Sequence, residues 1–227
     1  VVGAGPAGLA AAAAAAERGL SVILLDNYAR PGGQYFMQPA SAQGPAPSWQ
    51  MRQGAKAAAR AESLGARILR GAEVWGVFPG FVVQAWDGSQ AIELRAETLL
   101  LATGAHDRTV AFPGWTLPGV MTPGAAQRLA KTSGTPPGKR SLLAGSGPFL
   151  LPVAGAVLKA GGRLVEIVEA QSSHGPLLRQ LVLYPEKWPE ALRLLLPLAA
   201  SGVPRRFGEV VAAARGEGRD EEAELAP

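Results

Sequence analysis

The chain opens on a pattern in which short apolar runs are separated by a glycine turn and an alanine-rich stretch. Residues 1–2 lead into the turn GAGPAG at 3–8, and after the alanines the apolar run 21–25 ends at Asp26. Alanine has the highest helix propensity, and Gly19 stands where a helix commonly ends. The pattern therefore predicts a strand, a glycine turn, a helix and a second strand.

The same pattern recurs in the second half of the chain, where Gly145 stands 142 positions after Gly3. Two copies of one β–turn–α–β unit predict an α/β fold with two Rossmann-like dinucleotide-binding domains, each a three-layer structure around a mostly parallel sheet. The second copy consists of a strand at 140–144, a glycine turn at 145–148, a helix at 150–160 and a strand at 164–168.

Pairs of proline and glycine at 111–124 predict a crossing between the two domains. The other predicted elements are a helix at 49–64, strands at 66–69 and within 74–86, a buried strand at 97–104, a helix ending near Lys131 and a proline-broken helix at 175–200. The predicted domains are 1–118, a crossing segment with a short helix at 119–138, a second and incomplete domain at 139–214, and a disordered acidic tail at 215–227.

The first glycine turn has the spacing of a dinucleotide-binding fingerprint. Gly3 permits the tight turn, Gly5 lets the backbone approach a pyrophosphate, and Gly8 lets helix and strand pack closely. The helix N-terminus favours the diphosphate, and the carboxylate of Asp26 can accept both hydroxyls of an adenosine ribose. A dinucleotide site is predicted here, with a plain structural turn as the alternative.

The second glycine turn departs from that fingerprint. Gly145 and Gly147 are present, but Leu150 occupies the position of the third glycine and is expected to push the helix off the strand. Glu169 ends the following strand, where a ribose-binding acid would favour NAD(H) over NADP(H). Two interpretations stay open: a site for NAD(H) or another adenine nucleotide, or a purely structural repeat.

Composition excludes several classes of protein. The 227 residues include no cysteine, which removes disulfides, thiolate metal sites and a CxxC redox pair from this chain and is compatible with a reducing compartment. No uncharged apolar run reaches about 18 residues, so no transmembrane helix is expected, and no basic segment marks a signal peptide. The net charge is +4, but the basic residues do not cluster, so no nucleic-acid partner is expected.

Catalytic chemistry is not assigned by any cluster of side chains. No acid–base pair or nucleophile stands out, no metal site is predicted, and the catalytic residues stay unknown. His106 and His174 are interpreted as loop residues, and Asp107 with Arg108 as local structure. Among the tryptophans, Trp115 is the one that could have a role beyond packing.

Several motifs resemble one flavoprotein superfamily. GAGPAG at 3–8, PGGQ at 31–34 and LLLATG at 99–104 resemble the pyridine nucleotide–disulfide oxidoreductases with two dinucleotide-binding domains. PGWTLPGVMT at 113–122 and GSGPFLLPV at 145–153 are similar, more narrowly, to the α (A) subunits of hydrogen cyanide synthase, opine oxidase and dye-linked proline dehydrogenase. The sarcosine oxidase α subunit is a more distant relative.

The resemblance implies FAD at the first glycine turn, and an FAD domain whose closing segment is missing from this chain, which we expect to be a fragment at both ends. NAD(H) or another adenine nucleotide is the further cofactor considered, at the second turn. The implied cofactor-binding residues at the first site are Gly3, Gly5, Pro6, Ala7, Gly8, Asp26, Gly33, Gln34, the backbone of Val74, Ala102, Thr103 and Gly104. Those at the second site are Gly145, Gly147 and Glu169.

The resemblance also implies a function. We expect an FAD-dependent oxidoreductase subunit that relays electrons while a partner β subunit with its own flavin oxidises an amine, imino acid or amino acid. The alternatives are an NAD(P)H-dependent flavin reductase of the ferredoxin-reductase type and a non-catalytic nucleotide-binding subunit. The expected location is cytoplasmic, with peripheral attachment at the inner face of the membrane left open.

Overall fold

A computed structural model describes residues 1–39, 47–173, 175, 182–218 and 221–227. It contains two compact units, Val1–Ala105 and His106–Pro227. Both units combine helices with parallel strands, so the predicted α/β class is confirmed. The finer domain boundaries predicted from the sequence stay predictions.

The first unit follows the predicted turn–α–β pattern, but the strand expected at residues 1–2 is reduced to isolated bridges of Val2 with Leu25 and Leu101. Proline is favoured in the first turn of a helix, and α1 begins with one. The α2 helix begins after Ser48, whose hydroxyl accepts a hydrogen bond from Met51 N at 3.2 Å. Small alanines let α1 and α2 pack closely over the parallel pair β1–β2, around the buried Leu9 and Leu24. These elements are α1 (Pro6–Glu17), β1 (Ile23–Asp26), α2 (Trp49–Ser63) and β2 (Arg67–Arg70).

Three antiparallel strands complete the first unit, in the order β3–β4–β5. Their inner face packs against Val2 and Leu25, which belong to the same hydrophobic cluster as the fully buried Ala85. The cluster fixes this sheet beside the end of β1. The strands are β3 (Glu73–Phe78), β4 (Val82–Trp86) and β5 (Ala91–Arg95).

The buried strand predicted at 97–104 is wrong. Only an isolated bridge forms, in which Val2 N donates to Leu100 O at 2.9 Å and Ala102 N donates to Val2 O at 2.7 Å. The side chain of Leu101 is 63% exposed. Strand pairing is non-local, and an apolar run by itself does not show whether a partner strand lies beside it along its whole length.

The second unit repeats the pattern around a parallel sheet of order β6–β7–β8. The α4 helix lies on this sheet and buries Val153 and Val157 against Leu164 and Ile167. Its elements are α3 (Pro123–Ser133), β6 (Arg140–Gly145), α4 (Leu150–Lys159), β7 (Arg163–Glu169), a 3-10 turn (Pro185–Lys187), α5 (Trp188–Ala200), β8 (Arg205–Phe207), β9 (Val210–Arg215) and β10 (Glu222–Ala226).

The prediction of a disordered acidic tail at 215–227 is wrong for residues 222–226. Glu222–Ala226 form β10, which pairs antiparallel with β9. Arg215 Nη2 donates a hydrogen bond to Glu224 Oε2 at 2.7 Å across the two strands. Glu224, one of the acidic residues behind the prediction of disorder, therefore has a cationic partner. β9 is held in turn by a hydrogen bond from Ala214 N to Pro113 O at 2.8 Å. Composition alone misses such cross-strand pairs.

No helix in the described part of the chain is long and apolar enough to cross a lipid bilayer.

The β4–β5 hairpin gives a prediction about pH. Asp87 Oδ1 accepts hydrogen bonds from Gln90 N and Ser89 N, both at 2.9 Å, and from the Ser89 hydroxyl at 2.7 Å. These bonds lower the pKa of Asp87 from 3.8 to about 2, with the Gln90 backbone contributing most. Because the folded pKa is depressed, the contribution of Asp87 to hairpin stability is present above pH 3.8 and is lost as pH falls through about 2.

An NMR titration of the Asp87 carboxyl carbon is expected to have its midpoint near 2. In the Ser89→Ala variant, which lacks the hydroxyl donor, the midpoint moves upward. A wild-type midpoint at 3.8 would contradict the role given to these bonds.

Candidate dinucleotide-binding site

Two glycines of the first turn are required by the fold itself. Gly3 has φ of +97°, and a Cβ on it would overlap the carbonyl oxygen of Ala102. Gly8 lies at the start of α1, where a Cβ would overlap the carbonyl oxygen of Gly3 and come within 3.3 Å of the Ala102 side chain. Backbone atoms surround both positions, so only glycine allows this close packing of helix and turn.

Gly5 is different, because the fold does not explain it. Its φ of −73° and ψ of −176° describe extended backbone that any residue adopts. Among the described residues, a Cβ on Gly5 would meet only the Cα of Gly33, at 3.9 Å, which is an ordinary van der Waals contact. The absence of a side chain leaves open space at the N-terminus of α1, which is the space that a closely approaching ligand needs.

The N-terminus of α1 is arranged to receive an anion. Gly5 is the N-cap and supplies no side-chain cap, and no acidic residue lies in the first turn. Pro6 has no N–H, while the amides of Ala7 and Gly8 are first-turn groups with no intrahelical acceptor. These amides and the helix dipole together favour negative charge at this point.

The side chain of Asp26 fastens the end of β1 to the glycine turn. It is only 6% exposed, and its Oδ2 accepts a hydrogen bond from Ala4 N at 2.5 Å. Its Oδ1 accepts one from Tyr28 N at 2.8 Å. A carboxylate oxygen has two lone pairs, so each oxygen can accept a further hydrogen bond from a hydroxyl donor.

The segment Pro31–Gln34 comes back to the first turn. Gly32 N donates to Ala4 O at 2.8 Å, and a Cβ on Gly33 would lie only 2.8 Å from Gly5 Cα. Gly33 also has φ of +57°, so both its conformation and its neighbour require glycine. Gln34 follows with an exposed side chain. The pairing of Gly33 with Gly5 is a tertiary contact that the sequence did not reveal.

The remaining residues predicted for the first site differ in how close they lie to the glycine turn. Ala102 and Thr103 lie beside Gly3, and Gly104 follows them in an exposed segment without regular secondary structure. Val74 is less directly placed, because its side chain packs in the cluster around Val2 and Leu25.

The second turn is organised around Glu169. Gly147 N donates to both carboxylate oxygens, at 3.0 and 3.1 Å, and Gln171 N donates to Oε1 at 3.2 Å. A Cβ on Gly145 would lie 3.1 Å from the Cδ2 of Leu150, so the leucine fills the space beside that glycine. The three predicted residues Gly145, Gly147 and Glu169 are therefore brought together.

The second unit also contains one helix cap that sequence reasoning missed. Asp107 Oδ2 accepts a hydrogen bond from Gly124 N at 2.7 Å, which caps the start of α3 beside Thr122. The negative charge of such a cap is stabilising at a helix N-terminus, in keeping with the local role predicted for Asp107. His174 lies outside the described residues. Among the described residues no group of three or more His, Asp or Glu side chains could hold a metal ion.

Comparison with known proteins finds relatives that are named as subunits of enzymes. Hydrogen cyanide synthase subunit HcnB of Pseudomonas aeruginosa is 35% identical over all of this chain and 50% of its own length. An opine oxidase subunit of Rhizobium meliloti is 34% identical over 76% of this chain and 38% of its own length. The chain thus spans half or less of the length of these relatives.

Solved structures share the fold at low sequence identity. The L-proline dehydrogenase from P. horikoshii matches 74% of this chain and 34% of its own with a TM-score of 0.59 at 24% identity. The bacillithiol disulfide reductase Bdr from Staphylococcus aureus matches 99% of this chain and 72% of its own, with a TM-score of 0.63 at 16% identity.

A family model also matches nearly the whole sequence. The model of the pyridine nucleotide-disulphide oxidoreductases covers residues 1–225, which include both glycine turns and the acid that follows each of them. The resemblance inferred from the motifs is therefore confirmed. The chain belongs to the pyridine nucleotide-disulphide oxidoreductase family.

Proposed function

We propose that this chain binds FAD at its first glycine turn and is part of an FAD-dependent oxidoreductase subunit. The observation that carries the proposal is Gly5, whose missing side chain has no structural reason and leaves space at the start of α1. A diphosphate there would meet the amides of Ala7 and Gly8 and the positive end of the helix dipole.

The surrounding residues fit the rest of such a cofactor. Asp26 keeps hydrogen-bonding capacity for the two ribose hydroxyls, while its existing bonds hold the carboxylate in place. Gly33, which has no side chain, and the exposed amide of Gln34 lie beside Gly5, where the cofactor would pass. We assign Ala102, Thr103 and Gly104, which lie beside or after the contact with Gly3, to the same cofactor site. We also propose that the backbone of Val74 contacts the adenine. When bound, FAD supplies the redox chemistry, which the protein positions and tunes.

The substrate class and partner are proposed from the relatives. Proteins similar to this chain are named as subunits of hydrogen cyanide synthase, opine oxidase and sarcosine oxidase. We therefore assign the substrate to the amines, imino acids and amino acids, and expect a β subunit whose flavin oxidises it while this subunit relays the electrons. With no cysteine in these 227 residues, the chain itself contributes no dithiol for disulfide chemistry.

The visible absorption spectrum of the protein in its longest natural form tests this proposal. Bands at about 370 and 450 nm, as for any oxidised flavin, are expected after purification. When a β subunit is present and oxygen is excluded, we expect added proline, glycine or an opine to bleach these bands. Added NADH is expected to leave the bands unchanged. Bleaching by NADH alone would favour a flavin reductase. A protein without flavin bands after incubation with excess FAD would contradict the proposal and favour a non-catalytic subunit.

A further inference from the structure

We propose that the second glycine turn is closed by its own carboxylate: Glu169 occupies the anion position at Gly147 N, so this turn does not take up the diphosphate of NAD(P)H. The inference concerns the second unit alone and does not depend on FAD at the first turn. It decides between the two interpretations that the sequence left open, a nucleotide site and a structural repeat.

The central amide of the second turn is already hydrogen-bonded. Gly147 is the counterpart of Gly5, since each stands two positions after the first glycine of its turn. In the second turn this central amide donates to both oxygens of Glu169, at 3.0 and 3.1 Å. A charge-assisted pair of this kind already gives the amide what a phosphate oxygen would give it.

The length of the acidic side chain explains why the two turns differ. In the first turn, Asp26 reaches the amide of Ala4, one residue before the central glycine. Glu169 has one more methylene group and reaches the central glycine itself. The first turn is therefore braced by its acid without being closed, whereas the acid of the second turn lies where a diphosphate would bind.

The glycines of the second turn lead to the same conclusion. Gly147 has φ of +96°, a conformation that by itself requires glycine. Gly145 lies against Leu150, whose Cδ2 would be 3.1 Å from a Cβ at that position. The backbone conformation thus explains Gly147, the counterpart of Gly5, so that glycine does not indicate a closely approaching ligand. Gly5 remains unexplained by the fold, and that contrast separates the two turns.

The start of α4 removes further donors. The helix begins at Leu150, five positions after Gly145, whereas α1 begins three positions after Gly3. Within the intervening turn, Pro148 has no N–H, and the amides of Leu150 and Leu151 donate to Gly147 O and Pro148 O at 3.3 and 3.2 Å. The amide of Leu150, the counterpart of Gly8 in the first turn, is therefore already used inside the second turn.

Binding a dinucleotide here would therefore have an electrostatic cost. The diphosphate would have to displace the carboxylate of Glu169 from Gly147 N and then lie beside it, as two like-charged groups in one site. The 2′-phosphate of NADPH would add further negative charge. The consequence for the proposed function is that electrons do not enter this subunit from a nicotinamide bound at the second unit.

A fluorescence titration with NADH, using protein saturated with FAD so that the first turn is occupied, compares the wild type with Glu169→Ala. We expect no saturation by the wild type up to about 1 mM NADH, and binding at least about tenfold tighter in Glu169→Ala, where Gly147 N is freed. If Glu169 instead bound the ribose of NADH, Glu169→Ala would bind NADH more weakly than the wild type. Saturable wild-type binding in samples whose flavin absorbance shows bound FAD, or no gain in the variant, would overturn the proposal.

A control variant and two further measurements keep that test interpretable. Glu166→Ala is the matched control, because Glu166 lies on the same strand but pairs with Arg206 at 3.0 Å and does not contact the turn; it should leave NADH binding unchanged. Amide hydrogen exchange at Gly147 reports the closure directly: it should be slow in the wild type and faster in Glu169→Ala, and equal rates would count against the closure. Flavin absorbance on the same samples shows separately whether FAD binds.

Discussion

Replacing Gly8 by alanine is expected to reduce the free energy of unfolding of the first unit by about 3 kcal/mol, at the upper end of the cost of overpacking a close contact. The added Cβ would overlap the carbonyl oxygen of Gly3 and press on the Ala102 side chain. Neither neighbour can rotate away, because the first is backbone inside a tight turn and the second lies in the segment bridged to Val2. Urea denaturation followed by circular dichroism measures the change.

Gly155→Ala is the matched control for this substitution. Gly155 also lies in a helix, α4, but a Cβ on it would meet no atom of the described residues within 4 Å. Since alanine is favoured over glycine in a helix interior by about 1 kcal/mol, that variant should be as stable as the wild type or slightly more stable. Equal stability of Gly8→Ala and Gly155→Ala would show that α1 can move off the turn, against the close packing described above.

The elements that the sequence predicted correctly depend on local signals. The first glycine turn, the alanine helix after it and the strand ending at Asp26 follow from residue types within one short stretch. The elements that were wrong depend on which strand pairs with which. The expected strand at 97–104 finds the distant Val2 for a single bridge only, whereas Glu222–Ala226 gain order from β9, the strand just before them. Neither the apolar run nor the acidic composition reports this pairing.

The candidate site divides in the same way. Spacing alone brought out Gly3, Gly5, Gly8 and Asp26, because the fingerprint is contiguous with the elements that position it. The contact of Gly33 with Gly5 and the hydrogen bonds of Glu169 to Gly147 are visible only in three dimensions. The φ angle of a glycine and the backbone atoms nearest to it decide whether the fold requires that glycine or whether it leaves room for a ligand. Neither quantity can be read from the sequence.

Gly5→Ala is expected to separate cofactor binding from stability. The variant backbone is unstrained, since φ is −73°, and the new methyl group would be 3.9 Å from Gly33 Cα. The free energy of unfolding without FAD should therefore stay close to that of the wild type. Under the proposed function the methyl group lies against the FAD diphosphate, and overpacking of about 1–3 kcal/mol there corresponds to FAD affinity weaker by roughly 10- to 100-fold.

The FAD affinity of Gly5→Ala is measured by titrating the apoprotein and following the quenching of flavin fluorescence, with urea denaturation of the same apoprotein as the stability readout. Gly155→Ala adds the same methyl group, but in α4 of the second unit. It should therefore keep both the FAD affinity and the stability of the wild type. Unchanged FAD affinity in Gly5→Ala would move the diphosphate away from this turn. Loss of stability without FAD would instead mean that Gly5 serves the fold, and the open space at α1 would no longer argue for a ligand.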